Sequence, residues 1–134
     1  MAKIYKLFIS HRWEYNDMLQ NLKNLLNERG YFSAEYYQFE KNCPCNSEEA
    51  SVIKANITKR LKETDVVLAI AGVSASYSEW MQWEMDKALE LGLKIVCVIL
   101  RGNKYVSKEV SQRSVENVRW NTESVVEAIR KYSK

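Results

Sequence analysis

The chain has few of the residues that build cofactor and metal sites. Among its 134 residues there are four glycines, one proline, one histidine and three cysteines. It contains neither the G-x-G-x-x-G of a dinucleotide-binding fold nor a P-loop, and the G-x-S-x-G nucleophile elbow is also absent. These absences argue against a Rossmann dehydrogenase, a phosphoryl-transferring ATPase and a nucleophile-elbow enzyme.

The cysteines form neither a metal site nor a disulfide framework. Cys43 and Cys45 make a lone C-x-C, and a single histidine in the whole chain leaves them short of the four ligands of a structural zinc site. Cys97 lies in the apolar run IVCVIL, where a buried free thiol is common. We therefore expect no metal, no disulfide and a buried Cys97.

Long apolar runs and a strong charge bias are missing as well. The 20 basic and 17 acidic side chains give a net charge of +3 and are interleaved, which does not indicate a nucleic-acid partner. No run approaches the roughly 20 apolar residues of a membrane span, and the start MAKIYKLFIS has a lysine inside its apolar stretch, unlike a signal peptide. We expect one cytoplasmic domain, residues 1–134, with no membrane partner.

What the chain does contain is an alternation of short apolar runs and helical patterns. Strands are predicted at 4–9, 32–39, 66–70, 95–100 and near 118, and helices at about 19–29, 49–62, 76–91 and 122–131. The segment after Asn103 is poorly patterned and receives no helix. The alternation predicts a three-layer α/β fold of the flavodoxin-like kind, with a five-stranded, mainly parallel sheet in the order 2-1-3-4-5.

Two sequence signals mark the ends of the third long helix. Ser76 and Glu79 have the spacing of a capping box, in which each side chain satisfies a backbone donor at the start of the helix. Gly92 follows the last turn, where glycine commonly ends a helix. We predict that this helix presents its first turns at the carboxyl edge of the sheet.

The strand order predicts where a ligand would bind. In an open parallel sheet, ligands bind outside the carboxyl ends of the strands, at the point where the strand order reverses. In the order 2-1-3-4-5 this point lies between strands one and three. The residues that leave these strands are 10–13 and 71–74, with the capped helix behind them.

Two segments resemble a known family. Residues 78–85, SEWMQWEM, are similar to the S-x-W-x-x-x-E signature of TIR domains that cleave NAD, and residues 6–11, KLFISH, resemble the first strand of those domains. The start KLFISHRW, a leucine-rich helix and GYF before strand two resemble the TIR-like family typified by the sensor subunit of the Thoeris anti-phage system. The resemblance extends over about 3–132. Met81 departs from it, because cysteine is often found at this position in TIR NADases.

The resemblance implies a function and a site. It implies that Glu84 is catalytic, that NAD is the substrate with no further cofactor, and that the product is a cyclic signal of the ADP-ribose type for a separate effector. Assembly of subunits or a phage-derived activator would switch the enzyme on. The resemblance also implies these substrate-binding residues: Phe8, Ser10, His11, Arg12, Ser74 and Trp80.

The chemistry is reasonable without the family. Cleavage of the bond between nicotinamide and ribose develops an oxocarbenium-like centre, which one nearby carboxylate stabilises. Nicotinamide departs neutral, so no general acid is needed. Glu84 and Trp80 are four residues apart and share a helix face, and Arg12 can pair with a phosphate.

Other interpretations of the same residues stay open at this point. Glu84 can be a solvated helix residue paired with Lys87, and Trp80 can be a packing aromatic rather than a substrate platform. His11 can shape the loop rather than act as a base. The whole chain can be a TIR module that only associates with partners. A flavodoxin-like electron carrier is disfavoured because the loop after strand one lacks a phosphate-binding composition.

The cysteine analysis yields a prediction. Replacing Cys43 and Cys45 with serine should leave the melting temperature and the activity nearly unchanged, because a C-x-C without further ligands holds neither a metal nor a comfortable disulfide. Calorimetry and metal analysis check this. Loss of a stoichiometric metal in the double variant would contradict it.

Overall fold

The computed structural model describes residues 4–10, 16–28, 30, 32–37, 47–71, 79–99 and 108–133. Strands and helices alternate through these ranges as β1 (Ile4–Ser10), α1 (Asn16–Asn27), β2 (Ser33–Tyr37), α2 (Ala50–Glu63), β3 (Val66–Ala71), α3 (Glu79–Glu90), β4 (Ile95–Ile99), α4 (Lys108–Arg113), β5 (Glu116–Val118) and α5 (Thr122–Tyr132). All strand pairs are parallel and the order is β2-β1-β3-β4-β5. The predicted fold class and strand order are confirmed.

The two faces of the sheet carry separate apolar clusters, because successive side chains of a strand point to opposite sides. On β1, Leu7 and Ile9 pack with α1 and α5, whereas Phe8 packs with α2 and α3. The cluster around Leu7 and Ile9 also contains Leu22 and Leu26 of α1 and the buried face of α5. Burial of each large aliphatic side chain contributes about 1.5–3 kcal/mol, so the helices are held mainly by these faces.

One helix was not predicted. Helix α4 is six residues long and has a single fully buried apolar residue, Val110, which joins the cluster under α2 and α3. A helical stripe needs apolar residues that recur over two or more turns, and KEVSQR is too short to show one. Contact with the sheet, rather than a local pattern, therefore accounts for α4.

The predicted end of the third long helix is confirmed. Gly92 adopts a φ of +84°, in the left-handed region that favours glycine. The N–H of Leu93 then donates to the carbonyl of Ala88 at 2.9 Å, which satisfies one of the last carbonyls of α3. Ser76, the proposed cap at the other end, lies outside the described residues. None of the helices in the described ranges is long and apolar enough to cross a membrane.

Asp65 links β1 to β3 where β3 begins. Its Oδ2 accepts a hydrogen bond from the backbone N–H of Lys6 at 2.9 Å, and its own N–H donates to the carbonyl of Lys6 at 2.8 Å. The pair of bonds fixes the register of the two central strands. Because the sheet order reverses between them, this register also sets the relative heights of their carboxyl ends.

We predict that Asp65→Ala lowers the free energy of unfolding by about 1 kcal/mol, because it leaves the Lys6 N–H without this acceptor. Asp65→Asn is the matched control: it keeps an oxygen acceptor and should retain most of the stability. Denaturant unfolding of both variants checks the prediction. Equal stability of the alanine variant and the original protein would contradict it.

Cys97 is fully buried in β4, as expected from its sequence position. Burial raises the pKa of its thiol to about 12, whereas the pKa of an exposed cysteine is about 8.5. Only the thiolate reacts with alkylating reagents, so the folded protein presents almost no reactive form at pH 8.

A labelling experiment follows from this burial. In the variant with Cys43 and Cys45 both replaced by serine, Cys97 is the one remaining thiol. We expect a bulky thiol reagent to leave it unlabelled in the native protein at pH 8 and to label it fully in guanidinium chloride. Rapid stoichiometric labelling without denaturant would contradict the buried position.

Candidate functional site

The centre of the candidate site is a hydrogen bond between a strand and a helix. Ser10 is the last residue of β1 and points to the same side as Phe8, toward α2 and α3. Its hydroxyl Oγ donates to Oε1 of Glu84 on α3 at 2.9 Å, and both side chains are fully buried. The two residues are 74 positions apart in the sequence.

Glu84 occupies a position that the helix period would give to an apolar residue. The buried residues of α3 are Met81, Glu84, Met85 and Ala88, which form one stripe with helical spacing. Burying a carboxylate among apolar groups is costly unless it is hydrogen-bonded, and the bond from Ser10 partly offsets that cost. A charged residue within an apolar stripe was a signal available in the sequence, and it indicates a role other than solubility.

The interpretation of Glu84 as a solvated residue paired with Lys87 is wrong. Glu84 has no exposed surface, and the Nζ of Lys87 pairs instead with Oε2 of Glu90 at 3.1 Å. Glu90 lies one turn further along α3, where its side chain is 68% exposed and that of Lys87 is 25% exposed.

The tryptophans of α3 are packing residues in this structure. Trp80 and Trp83 are half-buried, pack against the cluster under α2 and α3, and contact each other edge-on with ring centroids 6.4 Å apart. The ammonium groups of Lys54 and Lys87 lie 5.5 and 5.8 Å from the centre of the Trp83 ring. Trp80 lies one turn before Glu84, and its contact with a substrate stays a prediction.

Phe8 lies two residues before Ser10 on the same face of β1. It is fully buried in the cluster that supports α3, so in this geometry it holds the helix that carries Glu84. Whether it also touches a substrate stays a prediction. The other predicted site residues lie outside the described residues: His11, Arg12 and Ser74.

Tyr36 and Tyr37 point to opposite sides of β2, as expected for neighbours in a strand. Tyr36 packs against the cluster of α1 and α5, and Tyr37 against the cluster of α2 and α3. Burial raises the pKa of Tyr36 to about 12, so its hydroxyl stays protonated at physiological pH. It donates a hydrogen bond to Oδ1 of Asn27 at 3.3 Å.

A surface groove on α3 lies apart from the Ser10–Glu84 pair. It has a volume of about 440 Å³, and its walls belong mainly to the solvent side of α3, with Lys54 of α2 opposite. Acidic and basic side chains alternate around Trp83 there, and Glu84 is not part of the wall. The groove and the Ser10–Glu84 pair are therefore separate features. In the described part of the chain, no group of three or more His, Cys, Asp or Glu side chains is arranged to hold a metal.

Comparison with solved structures shows the fold. The 2-deoxyribosyltransferase of Bacillus psychrosaccharolyticus superimposes with a TM-score of 0.59 at 15% identity, over 84% of this chain and 85% of that one. The CMP N-glycosidase of Clostridium botulinum gives 0.54 at 16% identity, over 93% and 98%. The response regulator domain of Thermotoga maritima CheB gives 0.53 at 10% identity, over 97% and 96%. Identities this low establish a common architecture only.

Comparison of sequences shows the family. No curated protein matches the chain. The family model described as the TIR-like domain of the Thoeris protein ThsB matches residues 8–105, which include the end of β1 with Ser10 and all of α3 with Glu84. This match extends over more than half of the 134 residues. The chain therefore belongs to the TIR-like domain family of the Thoeris protein ThsB.

Proposed function

We propose that this protein cleaves NAD at the bond between nicotinamide and ribose, with Glu84 as the catalytic carboxylate. The observation that carries the proposal is the buried carboxylate of Glu84, which accepts a hydrogen bond from Ser10 at the carboxyl end of β1. This end lies where the strand order reverses between β1 and β3, the usual ligand position in an open parallel sheet.

The reaction needs one negative group and little else from the protein. When the C–N bond breaks, its electron pair leaves with nicotinamide, which becomes neutral, and positive charge develops on the ribose carbon. A fixed carboxylate in a water-poor environment stabilises that charge more strongly than it would in water. Glu84 has such an environment, since its neighbours on the helix stripe are Met81, Met85 and Ala88.

The acceptor of the ribosyl group decides the product. Attack by water gives ADP-ribose and releases a proton, whereas attack by a hydroxyl or ring nitrogen of the same molecule gives a cyclic nucleotide. Cyclisation requires that water be excluded while the internal group is held against the ribose carbon. Membership of the Thoeris family supports the second route, with a cyclic ADP-ribose-type signal that activates a separate effector.

Full burial of Glu84 has a consequence for activity. A carboxylate with no exposed surface cannot touch NAD until the protein opens a path to it. We therefore propose that the isolated chain turns over slowly, and that assembly into a homo-oligomer or binding of a phage-derived activator increases the rate. A partner that binds more tightly to the conformation in which NAD can reach Glu84 would increase the population of that conformation.

Two proteins of the same architecture are named for reactions of nucleosides or nucleotides, a 2-deoxyribosyltransferase and a CMP N-glycosidase. Chemistry at an N-glycosidic bond is therefore compatible with this arrangement of sheet and helices. The proposal for the present chain depends on its own Glu84 and on its family.

We predict that Glu84→Gln reduces NAD turnover by about a hundredfold or more, the scale observed when one electrostatic stabiliser of a transition state is removed. Stability should not fall, because the amide keeps an oxygen that can accept from Ser10 and removes a buried charge. The measurement is the rate of nicotinamide release by activated protein, together with thermal unfolding.

The matched control is Glu90→Gln, the same change on the exposed side of the same helix. It should leave turnover unchanged and cost at most a few tenths of a kcal/mol from the lost pair with Lys87. Full NAD consumption and full effector activation by the Glu84→Gln protein would reject the enzymatic proposal. The chain would then be better described as a TIR module that acts by association.

A product analysis separates the remaining alternatives. The purified protein is incubated with NAD, with and without extract of phage-infected cells, and the products are separated by chromatography. We expect a cyclic product whose amount increases with the extract. Linear ADP-ribose as the main product would overturn the cyclase part of the proposal while leaving NAD cleavage in place.

A further inference from the structure

We propose that Ser10 is a positioning residue that orients the Glu84 carboxylate through their hydrogen bond, and that it is not a substrate contact. This inference rests on the proposed function of Glu84. It also changes the role that the sequence resemblance assigned to Ser10, from binding the substrate to holding the catalytic group.

In this conformation the Ser10 hydroxyl is already engaged by Glu84. The side chain is fully buried at the last position of β1, and its one hydroxyl proton is donated to Oε1 of Glu84 at 2.9 Å. A phosphate or ribose oxygen that needed the same proton would have to displace the carboxylate. The neighbouring position on β3 is Ala69, which offers no hydrogen-bonding side chain.

Glu84 needs such a partner for two physical reasons. A glutamate has three side-chain torsions. The buried residues Met81 and Met85 of the same stripe offer no strong hydrogen-bond donor, whereas the hydrogen bond from Ser10 fixes the position of one oxygen. A hydroxyl that donates to a carboxylate also stabilises its ionised form. Both effects matter for catalysis, because the carboxylate must be negative and within contact distance when charge develops on the ribose.

A second buried hydroxyl among the described residues, that of Thr64, provides a control for the removal of the Ser10 hydroxyl. The buried polar or charged side chains within the described ranges are Ser10, Thr64 and Glu84. Thr64 donates from Oγ1 to the carbonyl of Arg60 at 2.8 Å, at the end of α2 and just before β3. It therefore lies at the amino ends of the strands, whereas Ser10 lies at their carboxyl ends. Thr64→Val removes a buried hydroxyl whose hydrogen bond does not involve Glu84.

The test compares four variants in kinetics and in spectroscopy. Ser10→Ala removes the hydroxyl, Ser10→Cys keeps the size but is a weak donor, and Ser10→Thr restores a hydroxyl. Thr64→Val is the control. The carboxyl carbon of Glu84 is followed by NMR, and its resonance is identified by its absence in Glu84→Gln. Folding of each variant is verified by thermal unfolding.

For activated protein we expect Ser10→Ala and Ser10→Cys to lower kcat by about tenfold with little change in KM, the pattern of a misplaced catalytic group. Ser10→Thr should recover most of the rate, and Thr64→Val should match the original protein. The Glu84 resonance should move in the alanine and cysteine variants and stay in place in the control. Ser10→Cys keeps the size of the side chain, so its kcat can still be compared with that of the original protein if Ser10→Ala leaves a destabilising cavity or the threonine of Ser10→Thr does not fit.

Two results would overturn the inference. A raised KM with unchanged kcat in Ser10→Ala would identify Ser10 as a substrate contact, and an unmoved Glu84 resonance would show that the hydroxyl does not act on the carboxylate. If no form of the protein releases nicotinamide while the resonance still moves, the proposed function has failed and the coupling between Ser10 and Glu84 has not. The two proposals are therefore distinguishable.

Discussion

The candidate site of this protein is built around one buried carboxylate. Glu84 interrupts the apolar stripe of α3 at a place where any aliphatic residue would pack at no electrostatic cost. Replacing a buried charge with an apolar residue of similar size is often stabilising, so a carboxylate at this position is a burden on the fold. The catalytic role that we propose for Glu84 accounts for a carboxylate at this position.

The hydrogen bond from Ser10 lowers the free-energy cost of burying Glu84 and also fixes the position of its carboxylate. It reaches the carboxylate from the end of β1, the central strand next to the reversal of strand order. Parallel strands need helical crossovers, and these crossovers put α3, which follows β3, over the face that Phe8 and Ser10 share. A strand residue and a helix residue 74 positions apart therefore meet at the carboxyl edge of the sheet.

The same burial separates the candidate site from the more visible features of the surface. The groove around Trp83 is open to solvent, and its walls carry acidic and basic side chains. Ser10 and Glu84, by contrast, have no exposed surface.

The sequence by itself determined the layers, the strand order and the family. Runs such as Val66–Ala71 and Ile95–Ile99 are apolar throughout because both faces of a central parallel strand are covered, and Gly92 ends α3 because only glycine readily takes its positive φ. Local chemistry is sufficient for such features. The motif around Glu84 was likewise readable as a resemblance.

Tertiary structure alone decided which polar groups meet. Helix α4 carries too little pattern to be found locally, and it forms because Val110 completes the cluster under α3. Helix spacing allows Glu84 to pair with Lys87, and strand alternation allows Ser10 to face α3, so the sequence pattern permits either partner. The rotation of α3 over β1 decides between them: it buries Glu84 against Ser10 and leaves Lys87 to pair with Glu90. Burial is a property of the packed sheet and helices, and one-dimensional spacing does not contain it.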